Sequence, residues 1–235
     1  MKIEQVAAQL YTLRDHLQTS EQIARSLRQV RKIGYRAVQV SGTGPIDPRE
    51  LANILDGEGL ICCATHENAS TILESPEAVV EKLSILGCKH TAYPYPAGID
   101  FSSMRSLKEF VKQLDAAGAA LRAGGKVLSY HNHDIEFRRV KDQLILDYIY
   151  GNTSADNLKA ELDTHWVQAG GASTVDWIRR LTGRMPLIHL KDFAVDDDRQ
   201  RRFAEVGHGN MDFPQIIAEA EKAGVYWFIV EQDGD

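Results

Sequence analysis

Short, β-prone, mostly apolar runs alternate along the chain with longer segments whose apolar positions recur every three or four residues. The β-prone runs are VAAQLY (6–11), YRAVQV (35–40), LICCAT (60–65), KHTAYP (89–94), KVLSYH (126–131), LKAELD (158–163), PLIHLK (186–191) and YWFIVE (226–231). Few alternate strictly between apolar and polar. That is the pattern of parallel strands, which are packed on one face inside a sheet or barrel and covered on the other. Between them, SEQIARSLRQVRKIG places Ile23, Leu27, Val30 and Ile33 on one helical face, with Ser20 as the expected N-cap and Gly34 as the stop. SPEAVVEKLSILG repeats the device with Ser75 as cap, Pro76 in the first turn and Gly87 at the end. SLKEFVKQLDAAGAALRAGG is the longest helical segment and ends at Gly124-Gly125. FPQIIAEAEKAG follows Asp212, the expected cap, and ends at Gly224.

Eight such runs alternating with helical segments predict a parallel α/β fold. In 235 residues they predict one domain, residues 1–235, folded as a (β/α)8 TIM barrel, for which about 250 residues is typical. A doubly wound open sheet is the alternative. The lack of a GxGxxG after the first run weighs against a dinucleotide-binding version of it. Only Gln232, Asp233, Gly234 and Asp235 follow the eighth run, so the barrel is expected to lack its last helix. That would leave apolar surface open between the first and last strands, which a homo-oligomer would help to cover.

Composition narrows the function classes. Apolar residues make up 43% of the chain, which excludes a disordered protein. No stretch approaches the ~20 apolar residues of a membrane span. A net charge of −6 argues against nucleic acid as a partner, because phosphate binding needs a basic stripe. The N-terminus lacks a basic segment followed by an apolar run, and Cys62, Cys63 and Cys88 cannot make an even disulfide framework. Both features point to the cytoplasm.

In such a barrel the functional side chains lie at the C-terminal ends of the strands. The residues there are Gln9, Tyr11, Thr12, Gln39, Ser41, His66, Glu67, Asn68, His131, Asn132, His133, Asp134, Glu136, Asp163, Thr164, His165, Trp166, His189, Lys191, Asp192, Glu231, Gln232 and Asp233. A strand-end histidine by itself is as well explained by a hydrogen bond. Convergence of His131, Asp163, His189 and Glu231 on one barrel mouth is not explained that way. Imidazole and carboxylate donors together suit one divalent ion: Mn²⁺, Mg²⁺, Co²⁺ or Zn²⁺. Cys62 and Cys63 fall inside a strand and are expected in the core.

The segments YHNHDIEF (130–137), ELDTHWVQAGG (161–171), HLKDF (189–193), EVGHGNMDF (205–213) and WFIVEQD (227–233) resemble the sugar phosphate isomerase/epimerase family of the xylose isomerase-like TIM barrel superfamily. Ketose 3-epimerases, inosose isomerases and dehydratases, and endonuclease IV belong to the same superfamily. The resemblance runs through nearly the whole chain, with the motifs in the family's order. It implies one divalent metal held by a Glu, an Asp, a His and a second Glu. Asp163, His189 and Glu231 match the last three. At the first position this chain has His131 before Asn132. His131 holds the strand-end place and is favoured as ligand; Glu136 could instead fold back to the metal.

The implied activity is proton transfer next to the carbonyl of a small carbohydrate through an enediolate, with metal charge lowering the pKa of the C–H. Catalytic candidates are Glu231, His131 and Glu136, with His133 a further choice for a second base. Substrate contacts are expected from His66, His133, His165, Trp166 and Lys191. For Lys191 a salt bridge to Asp192 or Glu161 is the competing reading. A lyase or dehydratase acting on a keto-sugar, keto-glycoside or inosose is the alternative activity. A DNA-repair nuclease fits the charge poorly, and a non-catalytic barrel would hold no metal. Arg138, Arg139 and the DDDRQRR run (196–202) are expected to be solvated loop charges, the run as part of a mobile lid.

Overall fold

A computed structural model describes residues 1–234. Eight parallel strands close into a barrel in chain order: β1 Val6–Gln9, β2 Ala37–Val40, β3 Ile61–His66, β4 His90–Tyr93, β5 Val127–His131, β6 Leu158–Asp163, β7 Leu187–Leu190 and β8 Trp227–Val230. Closure comes from β8 pairing with β1, with Val6 opposite Phe228 and Ala8 opposite Val230. The helices are α1 Ser20–Ile33, α2 Pro48–Glu58, α3 Ala69–Glu74, α4 Pro76–Ile85, α5 Met104–Ala123, α6 Ile145–Gly151, α7 Thr164–Ala169, α8 Thr174–Arg180 and α9 Phe213–Ala223. Among the described residues no helix follows β8. No described helix is long and apolar enough to cross a membrane.

The helices form for the reasons read from the sequence, with local corrections. Ile23, Leu27 and Val30 are buried on α1. The α1 cap is Thr19, whose hydroxyl accepts from the Gln22 amide, and Ser20 is already helical. Ser75 occupies the capping position of α4 but makes no capping bond; Pro76 supplies the preset first turn. Asp212 caps α9 by accepting from the Gln215 amide at 3.1 Å, and Gly224 ends it at φ 88°, a left-handed conformation that favours glycine. The residues around 196–202 do not form an open loop. Asp192–Val195 and Arg201–Ala204 pair as an antiparallel ribbon standing on the mouth, and Asp196 closes its turn by bonding the Gln200 amide and Arg202.

Two apolar regions hold the barrel together. The larger lies between the outer strand faces and the helices. The smaller fills the barrel interior and consists of Ala7, Ala37, Cys63, Ala64, Leu187 and Ile229. The three cysteines are free and buried.

Candidate active site

Inward-facing positions on a strand repeat every two residues. Moving two residues toward the C-terminal end from the apolar interior therefore reaches the next layer. Ala7 leads to Gln9, Ala37 to Gln39, Ala64 to His66, Leu187 to His189 and Ile229 to Glu231. On β6 both Glu161 and Asp163 face inward, and β5 contributes His131. This layer is polar, and Gln39, Glu161, Asp163 and His189 are fully buried.

Its geometry is dense. His189 Nδ1 lies 2.7 Å from Glu231 Oε2 and 4.0 Å from Asp163 Oδ2. His189 Nε2 faces Glu161 Oε1 and lies 2.6 Å from Gln39 Oε1. Donor atoms of His131, Asp163, His189 and Glu231 lie within 4.8 Å of one another, as do those of His66, His131, Glu161 and His189. Either set could hold a metal ion. The four residues singled out from the sequence are thus brought together, and two of them carry buried atoms without hydrogen-bond partners: His131 Nδ1 and Asp163 Oδ2. Buried polar atoms are nearly always satisfied, so these two fit a ligand such as a divalent ion.

Lys191 is almost fully buried beside this set. Its Nζ lies 2.9 Å from Glu231 Oε2, 2.7 Å from Asp233 Oδ2 and 3.2 Å from Asp163 Oδ2, the last without hydrogen-bond geometry. Its salt bridges therefore go to these three carboxylates rather than to Asp192 or Glu161. Asp192 has another task. Its carboxylate accepts from the amides of Phe193, Gly207, Gly209 and Met211, pinning the EVGHGNM loop to the end of β7. A side chain at Gly209 would collide with that carboxylate, which is why a glycine stands there.

Charge is distributed unevenly. Burial drives His189 down, but Glu161 and Glu231 on its two sides raise it to about 10. Burial would raise Glu231, yet His189 and Lys191 hold it well below the ordinary carboxylate range. Asp163 is pushed up to about 6, chiefly by burial. His131 is driven well below the usual imidazole value by burial and by neighbouring histidines. His133 falls to about 3 through burial and the Lys191 charge.

Above the layer opens a cavity of about 360 Å³. His66, His131, His133, Lys191, Glu231 and Asp233 line it, with Tyr11, Arg14 and Tyr95 at its edges. Asp163 and His189 lie beneath this lining. His165 does not reach it: the ring packs against Trp166, Phe193 and Phe203 under the ribbon. Trp166 lies between Lys191, 5.4 Å from its ring, and His133, whose ring is 5.5 Å away. Glu136 also lies outside the cavity lining. It is fully buried, its two oxygens accepting from Tyr130 Oη at 2.7 Å and the His133 amide at 2.8 Å. Burial raises it to about 7. Both oxygens are thus turned into the wall, where they hold the His133 turn.

Sequence reasoning left Gln9 and Gln39 without a role and treated Glu161 only as a salt-bridge partner for Lys191. The signal was present, since Glu161 stands two residues before Asp163 on one strand and so shares its face.

A search of curated protein sequences finds no match. Among solved structures, a sugar phosphate isomerase/epimerase from Parabacteroides distasonis ATCC 8503 superposes with a TM-score of 0.84 at 22% identity, covering 100% of this chain and 88% of that one. A xylose isomerase-like TIM barrel protein from Mycobacterium smegmatis, solved in complex with magnesium, gives 0.77 at 14%, covering 98% and 90%. An L-ribulose 3-epimerase gives 0.75 at 17%, covering 98% and 81%. At these identities the likeness is one of fold. The sequence model of the xylose isomerase-like TIM barrel matches residues 27–235, and the chain belongs to that family.

Proposed function

We propose that the protein is a divalent-metal-dependent sugar isomerase or epimerase that moves a proton on the carbon next to a carbonyl. The observation that carries this reading is the buried quartet His131, Asp163, His189 and Glu231, in which His131 Nδ1 and Asp163 Oδ2 make no hydrogen bond. These four would hold the ion. The alternative quartet is the poorer cage, because Glu161 already accepts from Gln39 and His66. A bound divalent ion supplies positive charge that polarises the carbonyl and acidifies the neighbouring C–H. Glu231 lines the cavity as a carboxylate and is the base for one face of the substrate. His133 lines the same cavity and has an unpartnered Nδ1, which makes it the candidate for the second proton transfer. Lys191, pinned by three carboxylates, balances charge beside the reacting carbon, and His66 and Tyr95 border the space where a carbohydrate of monosaccharide size would sit.

One observation favours a second reading. β5 presents an imidazole, His131, where a carboxylate would make a symmetrical pair with Glu231. A single carboxylate base suits a lyase or dehydratase acting on a keto-sugar or keto-glycoside.

Metal analysis of the purified protein by plasma mass spectrometry tests the shared part. About one Mn, Co, Mg or Zn per chain is expected, lost in Asp163→Asn and Glu231→Gln; no metal even after Mn²⁺ addition overturns both readings. Incubation with keto-sugars in deuterated water then separates them. Inversion with deuterium incorporation marks the epimerase, and an unsaturated product marks the lyase.

A further inference from the structure

The layer beneath the cavity contains a hydrogen-bond network whose direction can be read without ambiguity. Glu161 can only accept. Gln39 Nε2 donates to both its oxygens, at 2.8 and 3.1 Å, so the other end of that amide, Oε1, is an acceptor. Gln9 Nε2 donates to this Oε1 at 2.9 Å and lies 3.5 Å from His66 Nδ1. His66 Nε2, 3.1 Å from Glu161 Oε1, is then the protonated nitrogen. His189 Nε2 faces two acceptors, Glu161 Oε1 and Gln39 Oε1, and must carry a proton as well. The remaining nitrogen of His189, Nδ1, points at Glu231 and Asp163.

We propose that Glu161, oriented by Gln39, is a positioning residue that commits the Nε2–H of His189 to the barrel interior and leaves Nδ1 for the metal. This rests on the metal-centre reading above. The physical reason is general: a ligating imidazole needs its second nitrogen anchored, and loss of the anchor typically weakens metal affinity by about 10- to 100-fold. Glu161 does so from the interior side, away from the cavity, and thus without touching substrate. Gln39 makes the arrangement one-way, because its carbonyl and amide ends cannot exchange while a carboxylate faces the amide.

The network supplies its own control. Glu161→Gln places an amide against the Gln39 amide and frustrates the pattern. Gln39→Glu places two carboxylates together. The double variant Gln39→Glu/Glu161→Gln restores one carboxylate and one amide in reversed order, with an acceptor again facing His189 Nε2. The readouts are Mn²⁺ affinity by calorimetry and the His189 Nε2–H signal in ¹⁵N-histidine-labelled, metal-free protein.

Each single variant is expected to bind Mn²⁺ about 10- to 100-fold more weakly and to lose or shift the Nε2–H signal. The double variant is expected to recover most of both. A side chain needed only for filling the interior would make the double variant the worst of the three, and that result overturns the proposal. So does undiminished affinity in Glu161→Gln. Complete loss of metal on the scale of Asp163→Asn also overturns it, by making Glu161 a ligand. If wild type itself binds no Mn²⁺, the function reading fails, and the Nε2–H signal still decides whether Glu161 anchors His189. Should Glu161→Gln not fold, Glu161→Asp keeps the charge, withdraws it from His189 and is expected to weaken Mn²⁺ in the same way.

Discussion

The barrel interior and the barrel mouth are built on the same strands, two residues apart, and have opposite character. The interior holds Ala7, Ala37, Cys63, Ala64, Leu187 and Ile229, small or apolar side chains needing no partners. The mouth holds Gln9, Gln39, His66, Glu161, His189 and Glu231, each engaged with at least one other. Apolar packing stabilises by removing area from water and tolerates exchange of like for like. A buried polar layer is favourable only while every donor meets an acceptor, so it specifies one arrangement and fails abruptly when a member is lost. The interior is therefore the foundation, and the mouth is an instrument set on it.

Substitutions should separate the two. The largest effect is expected from Glu231→Gln, which removes a proposed ligand and base together. Turnover should fall by at least the 10²–10⁴-fold typical of general-base loss. Retention of metal and activity would break the assignment. Next is Lys191→Met, which leaves Asp163, Glu231 and Asp233 facing one another without their cation. Removing one partner of a buried ion pair costs about 3–5 kcal/mol. Chemical denaturation of metal-free protein should show this loss, and excess Mn²⁺ should recover much of it by supplying the missing charge.

In the interior, Ile229→Ala should cost about 2–5 kcal/mol through lost burial and a residual cavity while leaving Mn²⁺ affinity near that of wild type. A large change in affinity would mean that the two layers are not separable. A subtler distinction lies in pH. His189 holds its proton to about 10 in the metal-free protein, and ligation through Nδ1 must displace a proton. Affinity for Mn²⁺ should therefore rise about tenfold per pH unit between pH 6 and 8, with proton release visible by calorimetry in buffers of different ionisation heat.

The smallest effect concerns Glu136, raised from its ordinary 4.5 to about 7 by burial. A carboxyl raised on folding contributes stability that is fully present below the unfolded value and is lost as pH rises through the folded value. Glu136→Gln should flatten the dependence of stability on pH between about 4.5 and 7. It should also cost about 1 kcal/mol, because an amide has one acceptor oxygen where the carboxyl group accepts from both Tyr130 Oη and the His133 amide.

Much of this was legible from residue order. The runs that became β1 to β8 could be placed because most are largely apolar, as buried parallel strands are, and the alternating LKAELD was read with its observed bounds. The expectation that His131, Asp163, His189 and Glu231 share one mouth follows from barrel topology, which puts every strand's C-terminal end on one face. Thr19 was passed over as a cap because Ser20 beside it is equally suitable, and only backbone direction chooses between them. The 192–204 ribbon was missed because its strands, DFAV and RRFA, are only four residues long and the charged turn between them dominates the local composition.

What the sequence determined by itself is the set of elements, their parallel order and the chemistry gathered at strand ends, all of which depend on local periodicity and chain direction. Only the tertiary structure decided which atoms meet. It turned both Glu136 oxygens into the wall, gave Lys191 to Asp163, Glu231 and Asp233, and drew Gln9, Gln39 and Glu161 into one network with His66 and His189. Those outcomes depend on rotamers and on distances between strands far apart in the chain, and no pattern along a single strand encodes them.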